Sequence, residues 1–216
     1  RGHSPFVTLM GRNLFGDHSS FVLVFLIPLY WVFSSTSLLF VVQSIVVAIG
    51  ALPVYWFSRQ RLRSEPLAAA MAGVYLLHPS IGWTNLENFH PDAALGTLVA
   101  FAIWAACAGK WRWYWVAVVL ALSVKEDVAF VLAPLGLWVA LKADRKRGLL
   151  TSLASLATMA LMFFVVMRSF TGVAFRNSWR IPFGGFSGLL KTTFTQPTKL
   201  IAYLWSEDRP AYLWQI

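Results

Sequence analysis

Long apolar runs separated by short polar gaps dominate the chain. The clearest runs approach the length of a membrane-spanning helix, and they are Leu38–Phe57, Pro66–Trp83, Ala93–Ala108 and Leu149–Met167. A helix rises about 1.5 Å per residue, so roughly 20 apolar residues cross a hydrocarbon core of about 30 Å. The pattern therefore predicts an all-α, polytopic bundle of transmembrane helices.

Two further apolar runs, Tyr114–Val124 and Val128–Leu141, flank the charged triplet Lys125–Asp127. A single helix over residues 111–141 would be about 46 Å long, more than a span needs, whereas each half alone is about 18–21 Å. We therefore predict a hairpin of two short helices that turns at the triplet.

Charge favours the same hairpin. With it, the basic loops at 59–63, 110–112 and 142–147 fall on one side, which the positive-inside tendency assigns to the cytoplasm. The outer end then holds a set of acidic and imidazole side chains, namely Glu87, His90, Asp92, Glu126 and Asp127. Ionisable groups recessed in this way line a water-accessible cavity or pair with one another.

The two ends of the chain differ from the bundle. Ser19–Phe33 is apolar but too short to cross, so residues 1–37 predict an outer loop with a re-entrant or interfacial helix. Residues 38–167 form the predicted transmembrane bundle, with about six membrane segments, two of them short. Residues 168–216 are amphiphilic and predict an outer loop with interfacial helices. Because the chain begins with Arg1 rather than Met, we expect a fragment of a longer protein.

The composition supports a membrane protein and excludes other classes. Hydrophobic residues make up 58% of the 216 residues and charged residues 12%, against about a quarter charged in soluble domains. The net charge of +9 does not indicate a nucleic-acid partner, because the basic residues lie in short gaps between apolar runs. The predicted partner is the lipid bilayer. The lone Cys107 excludes a disulfide within the chain.

The segment NLENFHPDAA, residues 85–94, brings Glu87, His90 and Asp92 within six residues. It suits either a polar loop or a site for a metal or a substrate hydroxyl. Histidine and carboxylates are ligands for Mn or Zn, and carboxylates alone suit Mg. A divalent cation, Mg or Mn, is therefore the candidate cofactor.

The triplet indicates either a charged turn or a recessed site. In the second interpretation Lys125 pairs with an acid or holds a phosphate, while Glu126 or Asp127 holds a metal or His90. Arg176 and Arg180 are four residues apart and would clamp a phosphate or contact lipid headgroups. The pair His78-Pro79 is interpreted as a helix end.

Three segments, in this order, carry a family resemblance: NLFGDHSSFVLVFLIPLYWVF, LENFHPDA and LSVKEDVAF. They resemble a bacterial, largely actinobacterial, family of polytopic membrane proteins of unknown function with Gly-Asp-His, Phe-His-Pro and Lys-Glu-Asp motifs. The first motif reads Gly16-Asp17-His18-Ser19-Ser20 here, without the Phe and Pro of the family pattern. That family is similar to the GT-C class of membrane glycosyltransferases, which use polyprenyl-phosphate sugars at the outer face. The resemblance places Asp17 and His18 in the first outer loop.

The resemblance implies a multi-pass protein of the bacterial plasma membrane that transfers a sugar from a polyprenyl-phosphate donor to a cell-envelope glycan or lipid acceptor. Such transfer needs a base for the acceptor proton, and a cation or metal for the phosphate. The expected catalytic residues are Asp17, Glu126 and Asp127. The expected substrate-binding residues are His18, Glu87, His90, Asp92, Lys125, Arg176 and Arg180. The candidate metal ligands are His90, Asp92 and Asp127.

We expect His18, His90 and the triplet to line one outer cavity, because a functional pocket needs its groups within reach of one substrate. Two alternatives stand beside the enzyme. One is a membrane transporter or flippase, in which broken helices flank a midplane site, and the other is a non-catalytic membrane scaffold. The gathering of charges toward one face, with no matching inverted half, favours the enzyme.

Overall fold

The computed structural model describes residues 5–8, 11–174, 181–207 and 210–211. These residues confirm the all-α class, beside one short ladder that pairs Phe6–Val7 (β1) with Arg12–Asn13 (β2). In chain order the α-helices are α1 Leu14–Asp17, α2 Ile27–Val32, α3 Thr36–Ile49, α4 Ala51–Leu62, α5 Glu65–Leu77, α6 Pro79–Leu86, α7 Ala94–Cys107, α8 Trp111–Leu122, α9 Ala129–Lys142, α10 Arg145–Leu161, α11 Arg168–Thr171, α12 Phe186–Thr195 and α13 Pro197–Leu204. Short 3-10 turns lie at Phe21–Leu26, Pro91–Ala93 and Glu126–Val128, and a π-helical stretch lies at Met162–Met167.

Two continuous stretches of the described chain are long and apolar enough to cross a membrane. Thr36–Leu62 joins α3 to α4, and Arg145–Thr171 joins α10, the π-helical stretch and α11. Each has 27 residues, or about 40 Å of helix, which exceeds the hydrocarbon core of about 30 Å. Gly50 stands at the α3–α4 joint, where a side chain would overlap the hydroxyls of Tyr75 and Thr97. Helices α5 and α7 therefore pack closely at this joint.

The predicted span Pro66–Trp83 is wrong as a single helix. Helix α5 ends at Leu77, and His78 has extended backbone angles before α6 begins at Pro79. The imidazole Nδ1 of His78 accepts a hydrogen bond from the Ser80 backbone N–H at 3.3 Å. Proline disfavours a helical conformation in the residue before it, which explains the break. The interpretation of His78-Pro79 as a helix end is confirmed.

The predicted hairpin at the triplet is confirmed. Helix α8 ends at Leu122, and α9 begins at Ala129. The guanidinium of Arg147, in the first turn of α10, lies 4.5 Å from the centroid of the Trp111 ring at the start of α8. Since α10 follows directly after α9, the start of α8 and the end of α9 share one end of the bundle. The triplet lies at the opposite end.

The three basic loops gather at the end of the bundle that is remote from the triplet. Arg59 of the first loop and Lys110 of the second line one cavity, and Arg147 of the third loop stacks on the ring of Trp111, the residue after Lys110. The structure thus gives the bundle a basic end and an end that carries the triplet. The assignment of the basic end to the cytoplasm stays a prediction.

The core that holds the triplet's helices lies between α7, α8, α9 and α10. Val118, Leu132 and Val139 are among its fully buried side chains. Helices α9 and α10 approach closely because Gly148 faces the backbone of Ala140, where any side chain would overlap. Small residues permit such contacts between membrane helices, where burial supplies little driving force. The triplet therefore sits on a well-packed support.

The segments outside the bundle carry exposed apolar side chains. The 3-10 turn Phe21–Leu26 and α2 together span about 20 Å, shorter than a membrane crossing, and Trp31 and Val32 are 74% and 73% exposed.

Residues up to Gly172 form one compact unit, and those from Val173 form another, in which α12 and α13 contact each other. The domain bounds and the interfacial helices stay predictions, although the last bundle helix runs to Thr171, past the predicted end at 167.

Candidate functional site

The first and third motifs meet directly. The imidazole Nδ1 of His18 and the Oε1 of Glu126 are 2.9 Å apart, and the Ser19 backbone N–H donates to the Oε2 of Glu126 at 2.9 Å. We call the pair of His18 and Glu126 the dyad. Glu126 is only 6% exposed, whereas the His18 side chain is 38% exposed. The dyad thus joins a buried carboxylate to an imidazole that solvent reaches.

Local backbone geometry aims Glu126 inward. Lys125 is extended, with φ −162° and ψ 156°, and a single 3-10 turn over Glu126–Val128 then leads into α9. The backbone N–H of Val22 donates to the carbonyl of Ser123 at 2.8 Å, which ties the segment after His18 to the end of α8. The hydroxyl of Ser19 is also buried, and no described residue hydrogen-bonds it. The 3-10 turn therefore positions Glu126, and the Val22–Ser123 hydrogen bond positions the segment that follows His18.

The dyad's two groups shift each other's pKa in opposite directions. The hydrogen bond to Glu126 raises the pKa of His18 above 6.5, although burial acts against it. Burial raises the pKa of Glu126, but the hydrogen bonds from His18 and from backbone N–H groups outweigh it, and the pKa falls below 4.5. The glutamate's contribution to stability is lost as pH falls through its folded pKa, and the histidine's is lost as pH rises through its own. Both contributions are complete only between about pH 4.5 and 6.5.

Lys125 links the third motif to the second. Its Nζ donates to Oδ2 of Asp92 at 3.3 Å and lies 3.7 Å from Oδ2 of Asp127. Burial lowers the pKa of Lys125, but the charges of Asp127 and Asp92 outweigh it, so the pKa rises above 10.5. The lysine is 25% exposed, and the two carboxylates are 37% and 47% exposed. Lys125 is therefore a charged ammonium at a partly open surface.

Asp17 lies beside the dyad but is already paired. Its Oδ2 accepts from the Arg12 guanidinium at 2.9 Å, and the residue is 7% exposed. Gly16 packs so closely on α11 that a side chain there would overlap Thr171 and crowd Phe170. The Gly-Asp-His motif is thus fixed by an ion pair on one side and by a helix end on the other.

Sequence reasoning missed Gln43, which organises the second motif. Gln43 is 3% exposed inside the long helix α3–α4. Its side-chain amide donates to the carbonyls of Thr84 and Asn88, each at 3.1 Å, and its Oε1 accepts from the His90 backbone N–H at 2.8 Å. A lone glutamine within an apolar run was the available signal, because a buried amide needs partners.

Two cavities adjoin this network. One, of about 390 Å³, is lined by Thr84, Glu87, His90 and Asp92. The other, of about 270 Å³, is almost wholly apolar and lies between the Phe21–Leu26 turn, α2, α3 and the segment that carries His90. The exposed His90 therefore stands between a polar cavity and an apolar crevice.

The structure joins the three motifs through the dyad and the Lys125–Asp92 pair, but the arrangement differs from the expected one. The cavity that His90 and Asp92 line is not lined by His18 or by the triplet, so a single shared cavity stays a prediction. Glu126 binds His18 rather than His90, and the Val22–Ser123 backbone contact holds the segment after His18 beside the end of α8. Among the described residues, no three His, Cys, Asp or Glu side chains are close enough to hold a metal ion, so His90, Asp92 and Asp127 are not assembled as a ligand set. Arg176 and Arg180 lie outside the described residues.

A family model described as "Predicted membrane protein (DUF2079)" matches residues 1–216. No curated protein and no solved structure matches the chain. The match shows that the molecule is a membrane protein. The likeness to GT-C enzymes stays a prediction.

Proposed function

The chain belongs to the DUF2079 family of predicted membrane proteins, and we propose that it acts on a substrate that is itself anchored in the bilayer by a lipid. The reaction is transfer of a sugar from a polyprenyl-phosphate donor to a cell-envelope acceptor, at the outer face of the bacterial plasma membrane. The observation that carries the proposal is the juxtaposition of the dyad and the Lys125–Asp92 pair at one end of the bundle.

The dyad supplies a base. When the Nδ1–H group of His18 donates a hydrogen bond to Glu126, the other ring nitrogen, Nε2, is left as an acceptor. No described residue hydrogen-bonds Nε2. In the proposed step the acceptor hydroxyl attacks the anomeric carbon, its proton passes to Nε2, and the bond from that carbon to the phosphate oxygen breaks. Glu126 is then a positioning residue, because its lowered pKa makes it a weak base.

Lys125 supplies the cation for the leaving phosphate. An ammonium has three N–H groups, so one remains for a phosphate oxygen beside the contacts to Asp92 and Asp127. The apolar crevice beside His90 offers room for the first part of the donor's hydrocarbon tail. A polar cavity next to an apolar one suits a substrate whose reactive head stays near its buried tail.

Sugar transfer in membranes tests the proposal directly. Membranes that contain the protein are given polyprenyl-phosphate donors with a radiolabelled sugar. His18→Gln should lower transfer by about 100-fold or more, the usual contribution of a positioned acid–base group. Lys125→Ala should lower it by a similar factor of about 100-fold, the usual contribution of a group that stabilises developing charge. Arg61→Ala, at the basic end, should retain full activity. Full transfer in both site variants at normal expression would refute the proposal.

A transporter is the second candidate. Among the described residues at this end, carboxylates outnumber cations, and recessed histidine–carboxylate pairs form proton relays in transporters. Loss of solute uptake in His18→Gln membranes, with no sugar transfer in any sample, would favour this candidate.

A further inference from the structure

A second site lies at the basic end of the bundle, remote from the dyad. We propose that the cleft between α4, α7 and α8 binds an anionic phospholipid of the adjacent leaflet. Its phosphate contacts Lys110, and one acyl chain enters the crevice beside it. This inference is independent of the proposed sugar transfer.

The headgroup part of the cleft is a cavity of about 910 Å³ with aromatic walls and two cations. Trp56 and Trp104 pack with ring centroids 4.6 Å apart, and the Nζ of Lys110 lies 4.8 Å from the Trp104 centroid. Arg59 pairs with the exposed Glu65, whereas Lys110 has no carboxylate partner among the described residues. Lys110 is therefore the cation available to a phosphate.

The acyl part is a neighbouring crevice of about 240 Å³ between α3, α7 and α8. Its lining is almost wholly apolar, and it shares Phe101 and Trp113 with the larger cavity. Val116 and Leu120 continue the lining along α8, toward the middle of the bundle. The two spaces therefore form one cleft that is polar at the basic end and apolar toward the interior.

This order of groups matches a phospholipid rather than a soluble anion. Tryptophans favour the headgroup boundary of a bilayer, and basic pockets between membrane helices bind anionic headgroups. A free phosphate would contact Lys110 and leave the crevice unused. A phospholipid uses both parts, with its chain on the Phe101 and Val116 side.

Lipid retention in nanodiscs tests the site. The protein is placed in nanodiscs made from equal amounts of phosphatidylglycerol and phosphatidylcholine, and the lipids that stay bound after gentle release are counted by native mass spectrometry. We expect one retained phosphatidylglycerol in the wild type. Lys110→Ala should lower the preference over phosphatidylcholine about five-fold, since one cation near a headgroup contributes about that factor.

Two further variants separate the site from general surface attraction. Val116 is 48% exposed, so Val116→Trp fills the crevice without forcing the core apart, and it should abolish retention although Lys110 is intact. Lys142→Ala removes the same charge from the same end outside the cleft, and it should change nothing. Unchanged retention in Lys110→Ala and Val116→Trp would overturn the proposal, and so would an equal loss in Lys142→Ala.

Discussion

Replacement of Glu126 by glutamine tests the dyad without removing bulk. The carboxylate receives hydrogen bonds from His18 and from the Ser19 backbone N–H, each at 2.9 Å, but a glutamine amide has only one acceptor oxygen. If that oxygen keeps the buried Ser19 N–H, the NH₂ group faces Nδ1 of His18 and places the imidazole proton on Nε2. The variant therefore inverts the tautomer and removes the proposed base.

The expected loss of stability is modest. A hydrogen bond to a charged group contributes about 1.5–3 kcal/mol and a neutral one about 1 kcal/mol, so Glu126→Gln should destabilise the fold by roughly 1–2 kcal/mol. Complete disruption of a fully buried ion pair costs about 3–5 kcal/mol. That figure is too high here, because the His18 side chain is 38% exposed.

Chemical labelling reads out the imidazole itself. Diethylpyrocarbonate modifies neutral imidazole, and the rate at His18 can be followed against pH by peptide mass spectrometry. Because Glu126 raises the pKa of His18, Glu126→Gln should move the labelling midpoint to lower pH. Asp127→Asn removes a neighbouring carboxylate that does not bond His18, and it should leave the midpoint in place. An unmoved midpoint in Glu126→Gln, or an equal shift in Asp127→Asn, would refute the assigned pairing.

Three further predictions follow from the same structure. Thermal stability should be highest between about pH 4.5 and 6.5 and decline on both sides, and the decline should flatten in Glu126→Gln; a wild-type profile that is flat from pH 4 to 8 would contradict this. Gln43→Leu leaves three backbone groups unpaired and should destabilise the fold by about 1–3 kcal/mol. The backbone N–H of His90 should then exchange its hydrogen faster, and an unchanged exchange rate would show that Gln43 does not organise this segment. In a Cys107→Ala background, an impermeant thiol reagent applied to intact cells should label a cysteine at position 88 and spare one at position 145, and the reverse pattern would invert the orientation.

Features that depend on hydrophobic periodicity and length were predictable from the sequence. The helix break at the triplet followed from arithmetic, since a helix over residues 111–141 is too long for a bilayer. The gathering of the basic loops at one end followed from the same hairpin. Proline chemistry marked the break at His78, although the apolar run Pro66–Trp83 continues across it with only His78 and Ser80 as interruptions.

Partner choice within the site was not predictable. Glu126 and His90 were both expected in the outer cavity, but hydrophobic periodicity does not say which histidine, His18 or His90, lies next to Glu126. The segment after His18 meets the end of α8 through the Val22–Ser123 backbone contact, and a backbone contact leaves no signal in the side-chain pattern. The role of Gln43 was hidden for a related reason, because its partners are backbone groups of a segment more than 40 residues away.

The π-helical stretch at Met162–Met167 makes the position of His18 sensitive to the deletion of one residue in the stretch. A π-helical turn holds one more residue than an α-helical turn, and removal of one residue would restore a regular helix. The segment beyond it would then rotate by about 100° and retract by about 1.5 Å. Phe170 and Thr171 would then no longer contact Gly16, and the loop from Gly16 to His18 would lose the packing that positions it. A one-codon deletion far along the chain is therefore expected to act on the dyad, although it touches neither dyad residue.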